Sequence, residues 1–285
     1  MVTVDGHLHV FRAACDRYPR AVHPMYPAEM EAPVEELLAT LEQHGIDHAV
    51  LVALSAHDGY LAECLRVHPG RFAGVGVLDP ERSGDADDLR RRFTESGIRG
   101  LRVHHLGDTG ATSAAGLDAW PVLDALDELG GVLWLYVPGE QLDLLPLVLD
   151  RLPGLDVVLN HLGWPLPDDF DVDDLGRPSV GGPIPPPTLP AVQRLAAHPG
   201  VRVMLSGEYA FSHEDFPYSD LGGLVRAVYD AYGADRMLWA SDYPWIREVP
   251  GYEAQLHLVD HYLPDLSEAG RADIMGGTAA RLFGF

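Results

Sequence analysis

Short apolar runs alternate with helix-patterned stretches along the whole chain. Seven times a polar or helix-like stretch closes on a glycine and an apolar run follows within a few residues, after Gly45, Gly70, Gly97, Gly130, Gly154, Gly200 and Gly233. Glycine suits the left-handed position at which helices end. The runs that follow are brief and rich in Val, Leu, Ile, Trp and Tyr, as strands buried on both faces are. With a further strand at the N-terminus, strands are expected to begin near Val2, Ala49, Phe72, Ile98, Val132, Asp156, Val201 and Met237. The stretches between them carry helical spacing: Val34, Leu37, Leu38 and Leu41; Leu123, Leu126 and Leu129; Leu221, Leu224, Val225 and Val228. Pro33 suits a first helical turn, and Glu35 and Glu36 suit its positive end.

Eight strand–helix units in 285 residues predict one domain, residues 1–285, of α/β class folded as a (β/α)8 TIM barrel. An open doubly wound sheet is the rival, but the Gly-rich phosphate loop that usually follows its first strand is missing. An insertion after the sixth strand, between Trp164 and Pro190, contains DDFDVDD and PIPPP. It is too rich in proline for a helix and is expected to form a lid-like loop over the barrel mouth. Its acidic run, Asp168 to Asp174, lacks the glycine and terminal glutamate of a calcium loop and reads as a solvated face.

Composition is ordinary for a globular protein, at 47% hydrophobic and 22% charged. The net charge of −23 is not ordinary. It argues against nucleic acid and against an anionic membrane surface as partners. No apolar run is long enough for a transmembrane helix, and the N-terminus does not read as a signal peptide. Two cysteines, Cys15 and Cys64, in no metal-binding spacing read as free thiols, so a cytoplasmic setting is expected.

In a barrel the C-terminal ends of the strands converge on one site. Read in order, those ends carry Asp5, His7 and His9; Ser55 and His57; Asp79; Arg102, His104 and His105; Tyr136; Asn160 and His161; Ser206 and Glu208; and Ser241, Asp242 and Tyr243. Such groups are costly to bury unpaired, so their recurrence needs a reason. His-x-His is the sharpest signal, because residues two apart on a strand point the same way. The bland alternative is a set of satisfied polar core groups.

DGHLHV at the start, NHLGWP at Asn160 to Pro165 and DRMLWASDYPW near the end resemble the amidohydrolase superfamily. FPYSDLGGLVRAVYDAYGADRMLWASDYPW, GIRGLRVH and IMGGTAARLFGF bring the resemblance closest to its lactonase branch. The resemblance implies a distorted barrel with His7, His9, His161 and Asp242 at the active site. Many members hold a divalent metal with a further histidine after the fifth strand, where this chain has Tyr136. The fourth strand also lacks the bridging lysine or glutamate of dinuclear members. The resemblance therefore implies either no metal or one divalent ion, zinc or manganese, on His7, His9 and Asp242.

The activity so implied is hydrolysis of a small, carboxylated cyclic ester, with Asp242 activating water. His7, His9 and His161 would stabilise the oxyanion, and Arg102 would grip the carboxylate. Tyr136, His104, Trp164 and Tyr243 are the further candidates for contact with a small-molecule substrate. The alternatives are metal-dependent non-oxidative decarboxylation, amide or imide hydrolysis, and a catalytically dead binding barrel. Exposed outer helices would permit a homodimer.

Overall fold

The computed structural model describes residues 2–285. Eight parallel strands form the barrel wall: β1 (Val4–Leu8), β2 (His48–Val52), β3 (Phe72–Val77), β4 (Gly100–Val103), β5 (Val132–Leu135), β6 (Asp156–Leu159), β9 (Val201–Leu205) and β10 (Met237–Trp239). The first and fourth begin two residues later than the apolar runs indicate. Between β6 and β9 lies a two-stranded antiparallel hairpin, β7 (Asp171–Val172) and β8 (Pro178–Ser179). The segment expected to form a lid-like loop carries its own short pairing. Asp173 holds the hairpin turn by accepting from the amides of Leu175 and Arg177 and from the Arg177 guanidinium.

Gly45, Gly70, Gly97, Gly130 and Gly233 do adopt positive φ, whereas Gly154 and Gly200 do not. Gly200 is needed for room instead, since a Cβ there would lie 2.7 Å from the Leu155 carbonyl oxygen.

Two apolar layers follow from the alternation of strand side chains. Val4, Val50, Val52, Val75, Val132, Trp134, Val158, Met204 and Leu238 fill the barrel interior, with Ala279 of the last helix, Thr278–Phe283, against them. The outward faces pack against the surrounding helices in a larger cluster that includes Leu8, Leu37, Leu41, Leu51, Leu101 and Leu133. Among the described residues, no helix is long and apolar enough to cross a membrane.

The strand order runs β1-β2-β3-β4-β5-β6-β9-β10, leaving β1 and β10 to meet. They do so just past the end of β10. The Asp242 amide donates to the His7 carbonyl (3.0 Å), the His9 amide to the Tyr243 carbonyl (2.8 Å), and the Ser241 amide to the Asp5 carboxylate (2.9 Å).

Beside this seam β1 carries a bulge. Its register against β2 runs Asp5 to Ala49 and then Leu8 to Leu51, so three steps on one strand match two on the other. Val4 and Leu8 would share a face in a regular strand, yet Val4 lies inside the barrel and Leu8 outside. The slip turns His7 and His9 inward and leaves Asp5 bonded to Ser241 and to the Tyr252 hydroxyl (2.7 Å). Gly6 sits in the bulge, where a Cβ would lie 2.8 Å from the Trp239 carbonyl oxygen and 2.9 Å from Leu238 Cδ1. Gly6→Ala is therefore expected to cost about 1–3 kcal/mol. Urea denaturation should read this as a lower midpoint at unchanged slope.

Candidate active site

His7 and His9 present their Nε2 atoms 3.1 Å apart, and Asp242 Oδ1 lies 3.6 Å from the first and 3.7 Å from the second. His7 is fully buried beneath the mouth, while His9 and Asp242 reach the cavity above. The outer nitrogens of the two imidazoles are tied differently. His9 Nδ1 meets the Val52 carbonyl at 2.8 Å, whereas His7 Nδ1 meets the indole Nε1 of Trp134 at 2.8 Å. His161 follows β6, with Nδ1 2.9 Å from Ser206 Oγ. Its ring lies against His7 on one side and Tyr136 on the other, at centroid distances of 5.5 and 5.0 Å. His161 and Asp242 both have left-handed backbones, with φ of 49° and 58°. Such conformations in non-glycine residues gather at functional sites, where the surroundings impose them.

Burial dominates the electrostatics. It holds the His7 and His161 imidazoles well below the usual histidine range and His9 at about 3, with Arg102 adding repulsion in each case. All three are neutral near pH 7. Burial also raises the Asp242 carboxyl to about 6, against the opposing effects of the Tyr209 hydrogen bond and the Arg102 charge. The Tyr209 hydroxyl donates to Asp242 Oδ2 at 2.6 Å, and burial beside that carboxylate drives its own ionisation well above the phenol range.

Above these groups lies a cavity of 180 Å³. It is smaller than the roughly 300–1,000 Å³ of sites for drug-sized ligands. His9, His161 and Asp242 lie along its lining, with Arg102, His104 and Tyr136 on one side. Arg102 is its one arginine or lysine. The guanidinium stands over the Tyr136 ring at 5.2 Å, and its buried Nε has no hydrogen-bond partner among the described residues. Tyr26, Phe170, Phe211 and Trp245 make the remainder largely apolar. A larger open groove outside the barrel, along helix Gly59–Val67, contains none of the strand-end chemistry.

Two expected contact residues are elsewhere. Trp164 stacks on Phe211 at 4.5 Å and is outside the cavity lining, so Phe211 presents the aromatic face in its place. Tyr243 packs into the outer core, with Arg247 over its ring at 5.5 Å, because its backbone is committed to the seam with His9. Tyr209 and Trp134, neither of them a strand-end candidate, touch the central groups directly, at Asp242 and His7.

A family model described as Amidohydrolase matches residues 4–285. The chain belongs to the amidohydrolase family. This amidohydrolase is 28% identical to an L-fucono-1,5-lactonase of Burkholderia multivorans over 306 residues, covering 98% of this chain and 95% of the relative. It is 26% identical to the 4-sulfomuconolactone hydrolase of Rhizobium radiobacter over 291 residues, covering 98% and 89%. Among solved structures, a putative 2-pyrone-4,6-dicarboxylic acid hydrolase of Pseudomonas putida matches at 25% identity with a TM-score of 0.74, covering 99% of this chain and 97% of that one. A zinc-bound amidohydrolase of Burkholderia multivorans matches at 25% and 0.73, over the whole of both chains. The chain is a hydrolase.

His7, His9 and Asp242 offer donor atoms within 4.8 Å of one another, compatible in kind and spacing with one divalent ion. The protons are less accommodating. Metal-bound histidines normally donate their second N–H to an acceptor, as His9 does to Val52. His7 instead faces a donor, the Trp134 indole, so its Nε2 carries the proton and shows no lone pair to an ion. With its protons in this arrangement the cluster does not fit a metal.

Because the Tyr209 hydrogen bond favours the ionised carboxylate, Tyr209→Phe is expected to raise the pKa of Asp242 above about 6. The acid limb of the rate profile should move to higher pH, checked by kcat/KM measured across pH 4 to 9.

Proposed function

We propose that this amidohydrolase opens a small lactone bearing one carboxylate, using Asp242 as the base that activates water. The observation that carries the reading is the pairing of a buried carboxylate with a guanidinium whose buried Nε has no partner among the described residues, across one small, otherwise largely apolar cavity. Similarity to proteins named lactonases and lactone hydrolases supports the choice of a cyclic ester.

Water adds to the lactone carbonyl while Asp242 takes its proton. The developing oxyanion meets two polar groups that line the cavity, His161 and Tyr136. The ring C–O bond then breaks, and protonated Asp242 delivers its proton to the leaving alkoxide. The product is an open-chain hydroxy acid, and the carboxylate is restored. Arg102 holds the substrate carboxylate, for which a guanidinium is suited by its forked donors. A single cation fits one anionic group better than two. His104, held at about 3 by burial and by the Arg102 charge, is a neutral hydrogen-bonding neighbour to that group. Leu166, Pro167 and Phe170 of the insertion close the apolar side. Decarboxylation is the second expectation, but Tyr136 stands where the related decarboxylases would need an imidazole.

The test is a panel of neutral, singly and doubly carboxylated lactones, followed by acid release. Asp242→Asn keeps shape but loses the base, so kcat should fall at least about 10²-fold with KM little changed. Near wild-type turnover by that variant would overturn the reading. Arg102→Met should raise KM for carboxylated lactones and leave neutral ones nearly unaffected. In the wild type, kcat/KM should climb through pH about 6 as Asp242 ionises and level off above it, until lactones begin to hydrolyse unaided.

A further inference from the structure

The hydrogen bonds around the histidine pair admit one arrangement of protons. The indole Nε1 of Trp134 only donates, so His7 Nδ1 must accept, and neutral His7 carries its proton on Nε2. The Val52 carbonyl only accepts, so His9 carries its proton on Nδ1 and keeps a lone pair on Nε2. The 3.1 Å contact between the two Nε2 atoms is then a hydrogen bond from His7 to His9. Trp134, His7, His9 and the Val52 carbonyl form a directed chain in which each N–H has an acceptor.

We propose that Trp134 is a positioning residue that locks His7 in the Nε2–H tautomer and thereby keeps divalent metal out of the His7–His9–Asp242 cluster. An ion held by both Nε2 atoms needs a lone pair on each. His7 could supply one only by moving its proton to Nδ1, where it would face the indole N–H across 2.8 Å. Trp134 has nowhere to turn. It is fully buried in the barrel interior, among the valines of the neighbouring strands and 5.7 Å from the ring of Phe283 on the last helix. The acceptor that a metal-binding histidine usually finds at its back is thus replaced, at His7 alone, by a donor of opposite polarity.

Proton placement at this cluster does not depend on which ester is cleaved. Second-sphere changes at metal sites typically alter affinity by about 10–100-fold. Titration with Zn²⁺ at about pH 7.5, by calorimetry or by competition with a chromophoric chelator, should therefore show Trp134→Phe binding at least about 10-fold more tightly than wild type. Adding His9→Ala should abolish the gain, which separates this cluster from adventitious surface sites. Long-range ¹H–¹⁵N correlation spectra of the metal-free wild type need no variant and decide the point if Trp134→Phe fails to fold. They should show His7 protonated on Nε2 and His9 on Nδ1. His7 protonated on Nδ1, or an unchanged zinc affinity in folded Trp134→Phe, would overturn the proposal.

Discussion

The contact on which the rest depends is the seam between the first and last barrel strands. A row of parallel strands becomes a barrel only if its two edges meet, and here they meet through the amides of Asp242 and His9 and the carbonyls of His7 and Tyr243. The same backbone that closes the wall carries the carboxylate and both imidazoles. Their spacing of 3.1 to 3.7 Å is a consequence of strand pairing before it is a matter of side-chain choice. The Asp5 carboxylate strengthens the join by accepting from the Ser241 amide and the Tyr252 hydroxyl, although burial raises its pKa to about 6.

A second constraint is the scarcity of charge inside the mouth. The protein is strongly anionic, yet burial keeps the central imidazoles neutral and confines the cationic character of the cavity to Arg102. An isolated guanidinium with an unpartnered Nε is costly to bury. Under the proposed function, the carboxylate of the substrate would supply the missing partner. Trp134 unites two demands in the opposite way. Its ring fills the barrel interior against Phe283, and its one polar atom sets the hydrogen-bond direction of the histidine pair.

Much of this was legible in the chain. Glycine punctuation and apolar runs located the eight strands to within two residues, because strands buried on both faces leave a dense signal. His7, His9, His161 and Asp242 stood out at strand ends, and the fold brings them together. Period-two reading failed at Asp5, which it grouped with His7 and His9. A one-residue bulge is invisible in a pattern, and Gly6 within it leaves the room that a Cβ would take from Trp239 and Leu238. Tyr209 had no signal, since Glu208–Phe211 is a single helical turn with no periodicity to read. Trp134 did have one. It stands two positions before Tyr136 on the inward face of β5, and its apolar bulk disguised a polar role. Trp164 and Tyr243 looked like cavity residues because they adjoin His161 and Asp242, but neighbouring residues at a strand end need not face the same way.

The seam also sets when the site comes into being. Asp5 and Ser241 stand 236 residues apart along the chain, among the longest-range contacts in the barrel. Bringing such distant segments together carries a large share of the loop-closure entropy, and contacts of that kind slow folding. A growing or truncated chain lacking its last strand has both imidazoles but neither the Asp242 carboxylate nor a closed wall. The His7–His9–Asp242 cluster is therefore a property of the completed barrel alone. Any local opening that separates β1 from β10 takes this cluster apart while most of the hydrophobic core is still intact.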